Sequence, residues 1–184
     1  MKISPKKKIL LIIVMIVCAV VIATGTTLAY LVTTSGPVEN VFTIGNIKLS
    51  LVETTGESYQ LIPGKEISKN PKVIVEGGSE DCWLFIKVTK TQYFDDYISY
   101  NIDSGWTDLG GYDGVYYRSV VKSYSGNEFR IIENDIITVK ENLTEEKMSG
   151  ITVKPKITFK AYAIQSYSID TAGEAWQQIL HDTQ

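Results

Sequence analysis

The sequence predicts a mainly β chain: an antiparallel, jelly-roll-like β-sandwich with one or two short helices, behind an N-terminal hydrophobic signal helix. Three observations carry this prediction. From Phe42 onward, apolar residues alternate with polar ones in runs rich in Val, Ile, Thr and Tyr, the period-two pattern of strands with one buried face. Turn pairs such as Pro63-Gly64 and Gly77-Gly78 separate those runs. Helix start signals occur at only two places.

The first element is not part of the sandwich. Lys2 and Lys6–Lys8 form a positive n-region, and Ile9 to Ala23 is an unbroken apolar run of 15 residues. As a helix it would span about 22 Å, short of a bilayer core of roughly 30 Å. The chain then turns small and polar, and Thr27 and Ala29 occupy the −3 and −1 positions of a cleavage site before Tyr30. This divides the chain into a signal peptide (1–29), an N-terminal segment (30–41) and a β-sandwich domain (42–184). The competing reading carries the helix on to Val32 as an uncleaved membrane anchor.

Residues 30–41 hold Leu31, Val32, Val38 and Val41 around a polar Thr-Thr-Ser-Gly-Pro stretch. They read either as a donor strand for another subunit or as a spacer. Phe42 and Ile44, then Ile47, Leu49 and Leu51, read as one strand with a bulge at Gly45-Asn46. Pro71 to Lys90 reads as a hairpin-type pair of strands turning at Gly77-Gly78. The glycine-rich stretch from Gly105 to Gly114 reads as a loop. Three further strand runs follow, and Lys154-Pro155 predicts an edge position or a kink in the last of them. Asn142 with Glu145, and Thr171 with Glu174, have capping-box spacing. Behind Thr171, the residues Ala172, Ala175, Trp176, Ile179 and Leu180 fall on one helical face.

Composition narrows the function. Loss of residues 1–29 leaves 14 basic against 21 acidic residues, which argues against a nucleic-acid partner. Cys82 would be the one cysteine left, so no internal disulfide forms; its alternation with Leu84, Ile86 and Val88 predicts a buried, inert thiol. The single histidine is His181, near the end of the chain, and no zinc-ligand or phosphate-loop motif occurs. The carboxylates of Glu80, Asp81, Asp95, Asp96, Asp103, Asp108 and Asp113 match no calcium-loop spacing and read as solvated. The aromatic residues Tyr93, Phe94, Tyr97, Tyr100, Trp106, Tyr112, Tyr116 and Tyr117 crowd into 25 positions. They read as core and rim, with a binding surface as the rival.

The stretch from Gly25 to Leu51 resembles the head of the TasA/camelysin family of exported Gram-positive proteins. In that family a short apolar segment ends in a small and an aromatic residue, here Ala29 and Tyr30. An Asn-x-Phe-x-x-Gly-x-Ile/Leu motif follows, here Asn40, Phe42, Gly45 and Ile47. The Pro-Gly turn and the tail from Ala161 to Ile179 are also similar; Glu76 departs from the asparagine frequent in the family's second turn. The resemblance implies cleavage by a SipW-type signal peptidase and a secreted jelly-roll protein of the biofilm matrix or cell surface. It further implies self-association into fibres by strand exchange, either as the main fibre subunit or as an accessory one. Membrane contact would come only through the N-terminal segment before cleavage, and no cofactor is implied. Camelysin members are cell-surface metallopeptidases; without a recognisable zinc motif that activity is not carried over, although a peptidase using carboxylate-bound metal is a rival reading. A membrane-anchored binding module is another.

Overall fold

The computed structural model describes residues 30–33, 41–55, 58–123 and 126–183, and at residues 30–33, 58 and 145 it describes the backbone. These residues are mainly β. The central sheet has five strands in the order β2-β13-β7-β10-β9. They are Val41–Ile44 (β2), Ile157–Gln165 (β13), Cys82–Lys90 (β7), Val115–Val120 (β10) and Thr107–Asp108 (β9). β2 runs parallel to β13 and every other pair is antiparallel.

Strand alternation divides this sheet into two covered faces. On one face lie Cys82, Leu84, Ile86 and Val88 of β7, with Phe159, Ala161 and Ala163 of β13. They share a core with two three-stranded sheets. One is Asn127–Arg130 (β11), Lys72–Val75 (β6) and Leu49–Val52 (β3); the other is Glu66–Ser68 (β5), Ile136–Val139 (β12) and Ile98–Ser99 (β8). On the opposite face, Phe85, Val115 and Ile164 meet Ala175, Trp176 and Ile179 of α3 (Ala172–Asp182). The Trp176 ring lies 5.1 Å from Phe85 and 5.2 Å from Tyr162, centroid to centroid. Each such side chain buried stabilises the fold by roughly 1.5–3 kcal/mol. The capping box at Thr171 and Glu174 forms, with Thr171 Oγ1 accepting from Glu174 N at 3.2 Å.

Four sequence expectations are corrected. Residues 42–51 are not one bulged strand. β2 and β3 belong to different sheets, and Gly45 (φ +96°) turns the chain between them. A Cβ there would sit 2.7 Å from Gln165 Oε1 and 2.8 Å from Gln165 Cβ, so only glycine fits the corner. β6 and β7 turn at Gly77-Gly78 without pairing as a hairpin, because each pairs inside its own sheet on opposite sides of the core. β13 is an interior strand, and Pro155 lies just before it, where no ladder donor is required. The helix Glu145–Ser149 (α2) is capped by Thr144, not Asn142: Thr144 Oγ1 accepts from Lys147 N at 3.3 Å. A four-residue helix, Phe94–Tyr97 (α1), was not expected; Phe94 anchors it in the main core.

Candidate functional site

Tyr30–Thr33 forms β1, and it pairs with one strand, Ser58–Leu61 (β4), in a two-stranded antiparallel sheet. The register is Tyr30↔Leu61, Leu31↔Gln60, Val32↔Tyr59 and Thr33↔Ser58. β4 itself is seated on the body of the protein. Leu61 is 1% exposed and Tyr59 packs against the same core. Beneath Tyr59 lies a buried ion pair: Lys69, 3% exposed, holds Glu53 Oε1 at 2.7 Å, and its Nζ is 5.9 Å from the Tyr59 ring centroid. Thr55 Oγ1 donates to the same carboxylate oxygen at 3.0 Å. Asn70 fixes this loop, with its Oδ1 accepting from Thr54 N and Thr55 N at 3.0 Å each. Burial pushes the Tyr59 phenol above its usual range.

After Leu61 the chain turns at Pro63-Gly64, where Lys65 N donates to Ile62 O at 3.0 Å, and continues into β5. Between β4 and β5 runs a groove of about 330 Å³, lined on its two sides by residues such as Tyr59 and Ile67. Among the described residues β5 pairs with β12 alone. β4 and β5 therefore each carry one strand partner among the described residues, and backbone groups on an outer strand edge offer hydrogen bonds to an added strand.

The residues singled out in the sequence are distributed differently from the expected single segment. Leu31 and Val32 lie in β1, whereas Val41 opens β2, opposite Ala161 of β13. Val38, Asn40, Thr27 and Ala29 lie outside the described residues. The remaining motif positions have an architectural role. Phe42, 42% exposed, stacks on Tyr162 at 5.3 Å; Gly45 makes the corner; Ile47 enters the core. Sequence reading missed Glu53, Tyr59 and Lys69. No periodic pattern marks them, because their partnership joins β4 to two separate loops.

Other candidates are accounted for separately. Cys82 is buried, and burial, followed by the charge of Asp81, pushes its thiol up to about 12, so it stays protonated and inert at neutral pH. His181 is 89% exposed at the end of α3, beside Asp182. Among the described residues no three His, Cys, Asp or Glu side chains converge to hold a metal ion, and no helix is long and apolar enough to cross a membrane. Of the crowded aromatics, Phe94 and Trp106 are buried, five are half-buried, and Tyr93 is 60% exposed. No protein-family model, no curated protein and no solved structure matches the chain.

Proposed function

We propose that the chain is an exported, non-enzymatic structural subunit of the extracellular or biofilm matrix, TasA-like, and that it joins to further copies by exchanging β1. On this reading a SipW-type signal peptidase cuts before Tyr30, and the face-to-face sheets are those of a jelly-roll-like sandwich. One observation supports the reading above the others: among the described residues the first strand after the proposed cut pairs only with β4, in a two-stranded sheet of its own. A strand held this way can be traded between identical copies. The ladder with β4 is made in the same register whether β1 comes from its own chain or a neighbour's, so the hydrogen bonds balance and association entropy is the main cost. Head-to-tail exchange between copies whose rotation does not close on itself yields a filament. The donated strand is then Tyr30–Thr33, not the whole of 30–41.

The test compares a chain starting at Tyr30 with one starting at Val41, by electron microscopy and by size in solution. The longer chain is expected to form filaments, and the shorter to stay folded and monomeric. Equal polymerisation of the two refutes exchange of β1. Absence of filaments from both leaves an accessory role in the matrix. Mass spectrometry of culture supernatant checks the export step: a product beginning at Tyr30 is expected, and full-length, membrane-bound chain alone contradicts it.

A further inference from the structure

β10 begins only at Val115, opposite Lys87 of β7, while β7 runs on to Lys90. Gly114 (φ +67°) turns the chain away at this point, and a Cβ on it would strike Val88 O. Val88 N still donates to Gly114 O at 2.8 Å. By strand alternation Lys90, two residues on, aims its main-chain N–H and C=O to the same side, which β10 does not reach. A groove of about 830 Å³ opens there, within the size range of small-ligand sites.

The walls of the groove combine three kinds of group. Tyr100, Tyr112 and Tyr116 line it and are half-buried; the Tyr112 ring also packs edge-on against Trp176, and its hydroxyl accepts from Gln177 Nε2. Asp108 and Asp113 line it as exposed carboxylates, and neither has a hydrogen-bond or ion-pair partner among the described residues. Lys87 and Lys90 complete it; the Lys90 ammonium pairs with Asp95 at 2.6 Å and lies 5.8 Å from the Tyr100 centroid. Burial raises the Tyr100 and Tyr116 phenols, and nearby aspartates raise them further, so both hydroxyls keep their protons and can donate at any physiological pH.

This combination selects a ligand class. Two lysines oppose a metal cation, and two unpaired aspartates oppose a polyanion. An apolar ligand would leave the carboxylates and the Lys90 main chain unsatisfied. A neutral pyranose chain satisfies all of them. Its C–H faces stack on tyrosine rings, and its hydroxyls donate to carboxylates and exchange hydrogen bonds with main-chain groups.

We propose that the groove bounded by Tyr100, Tyr112, Tyr116, Asp108 and Asp113 binds a neutral polysaccharide segment. This site is separate from β1 and does not depend on strand exchange. The test is calorimetric titration of the full chain, held in a detergent without a sugar headgroup, with cellohexaose and with chitin hexamer. Saturable binding of at least one neutral oligomer is expected. Asp113→Asn and Tyr116→Ala should each weaken it about tenfold, the scale of one charge-assisted hydrogen bond or one lost stacking face. Tyr116→Phe keeps the ring and should lose less than Tyr116→Ala. Tyr93→Ala, outside the groove, should change nothing. No saturable binding of either oligomer up to about 10 mM, a range that detects even weak ligands, overturns the proposal. So does binding that Asp113→Asn and Tyr116→Ala leave untouched, or tighter binding of an oligogalacturonate, of calcium, or of an extended neutral peptide.

Discussion

β1 and β2 are both four-residue strands, and each pairs along its whole length with one neighbour. Their surroundings differ. β2 lies on the interior strand β13, stacks Phe42 on Tyr162, and is followed by the Gly45 corner that delivers Ile47 to the core. β1 has its ladder with β4, and β4 pairs with no strand of the central sheet. A hydrogen-bonded ladder exchanges protein–water for protein–protein bonds and so contributes only about 0.5–1.5 kcal/mol per bond net. Burial of apolar side chains is what commits a strand to one place. β2 is tied to the core through Ile47 and the Gly45 corner, whereas the described tie of β1 is its ladder with β4, the one that the proposed function exchanges.

That contrast can be broken first at the seat of β4. Glu53→Ala leaves the Lys69 ammonium buried without its partner, and a loss of about 3–5 kcal/mol is expected, measured by urea unfolding. Removing residues 30–40 deletes the short ladder with β4 and should by comparison cost about 2 kcal/mol, the low end of a few bonds at that per-bond value. If the two losses are similar, β1 is an integral part of the fold and not an exchangeable strand.

The corner after β2 comes next. Gly45→Val combines an unfavourable left-handed backbone with a clash against Gln165, and a loss of about 2 kcal/mol or more is expected. The same variant should not affect filament formation by the molecules that remain folded. A change in filament yield per folded molecule would mean that β2 takes part in exchange.

The smallest effect is a titration in the core that supports β2. The folded-state pKa of Cys82 is raised above its ordinary value of 9.0, to about 12. For an acid this means that the unfolded chain releases the proton first as pH rises. The stabilisation is complete below about 9 and is lost between 9 and 12. By pH 10 the loss is about 1.4 kcal/mol. Cys82→Ala should lose about 1.4 kcal/mol less stability between pH 8 and 10 than the unmodified chain, since the raised tyrosines, which begin to titrate in the same window, contribute equally to both proteins. An unchanged slope would show that the thiol is not held away from water.

The contrast between the two strands was only partly legible beforehand. Gly45 stood out in the pattern, but a bulge and a change of sheet leave the same trace: alternation, one glycine, alternation again. Pairing decides between them, and β3 finds β6 while β2 finds β13. The same ambiguity made Gly77-Gly78 look like a hairpin turn. The ion pair under β4 left no trace at all, since Glu53 and Lys69 occupy ordinary polar loop positions. Of the groove, its tyrosines and aspartates were visible as a crowd, but which of them face a common space was not.

What the sequence determined by itself was local. Alternation set the strands, because a side chain on one face of a pleat must be apolar if that face is buried. Thr171 and Glu174 set the start of α3, because four free N–H groups need acceptors within a turn. Cys82 was legible as buried from its neighbours at every second position. What tertiary structure alone decided was partnership: which strand lies beside which, that β13 is interior despite the proline ahead of it, that Lys69 meets Glu53, and that β10 stops short of β7 and opens a groove. These depend on contacts between residues far apart in the chain. Such contacts form only when whole faces bury together, and no short window of sequence contains both sides.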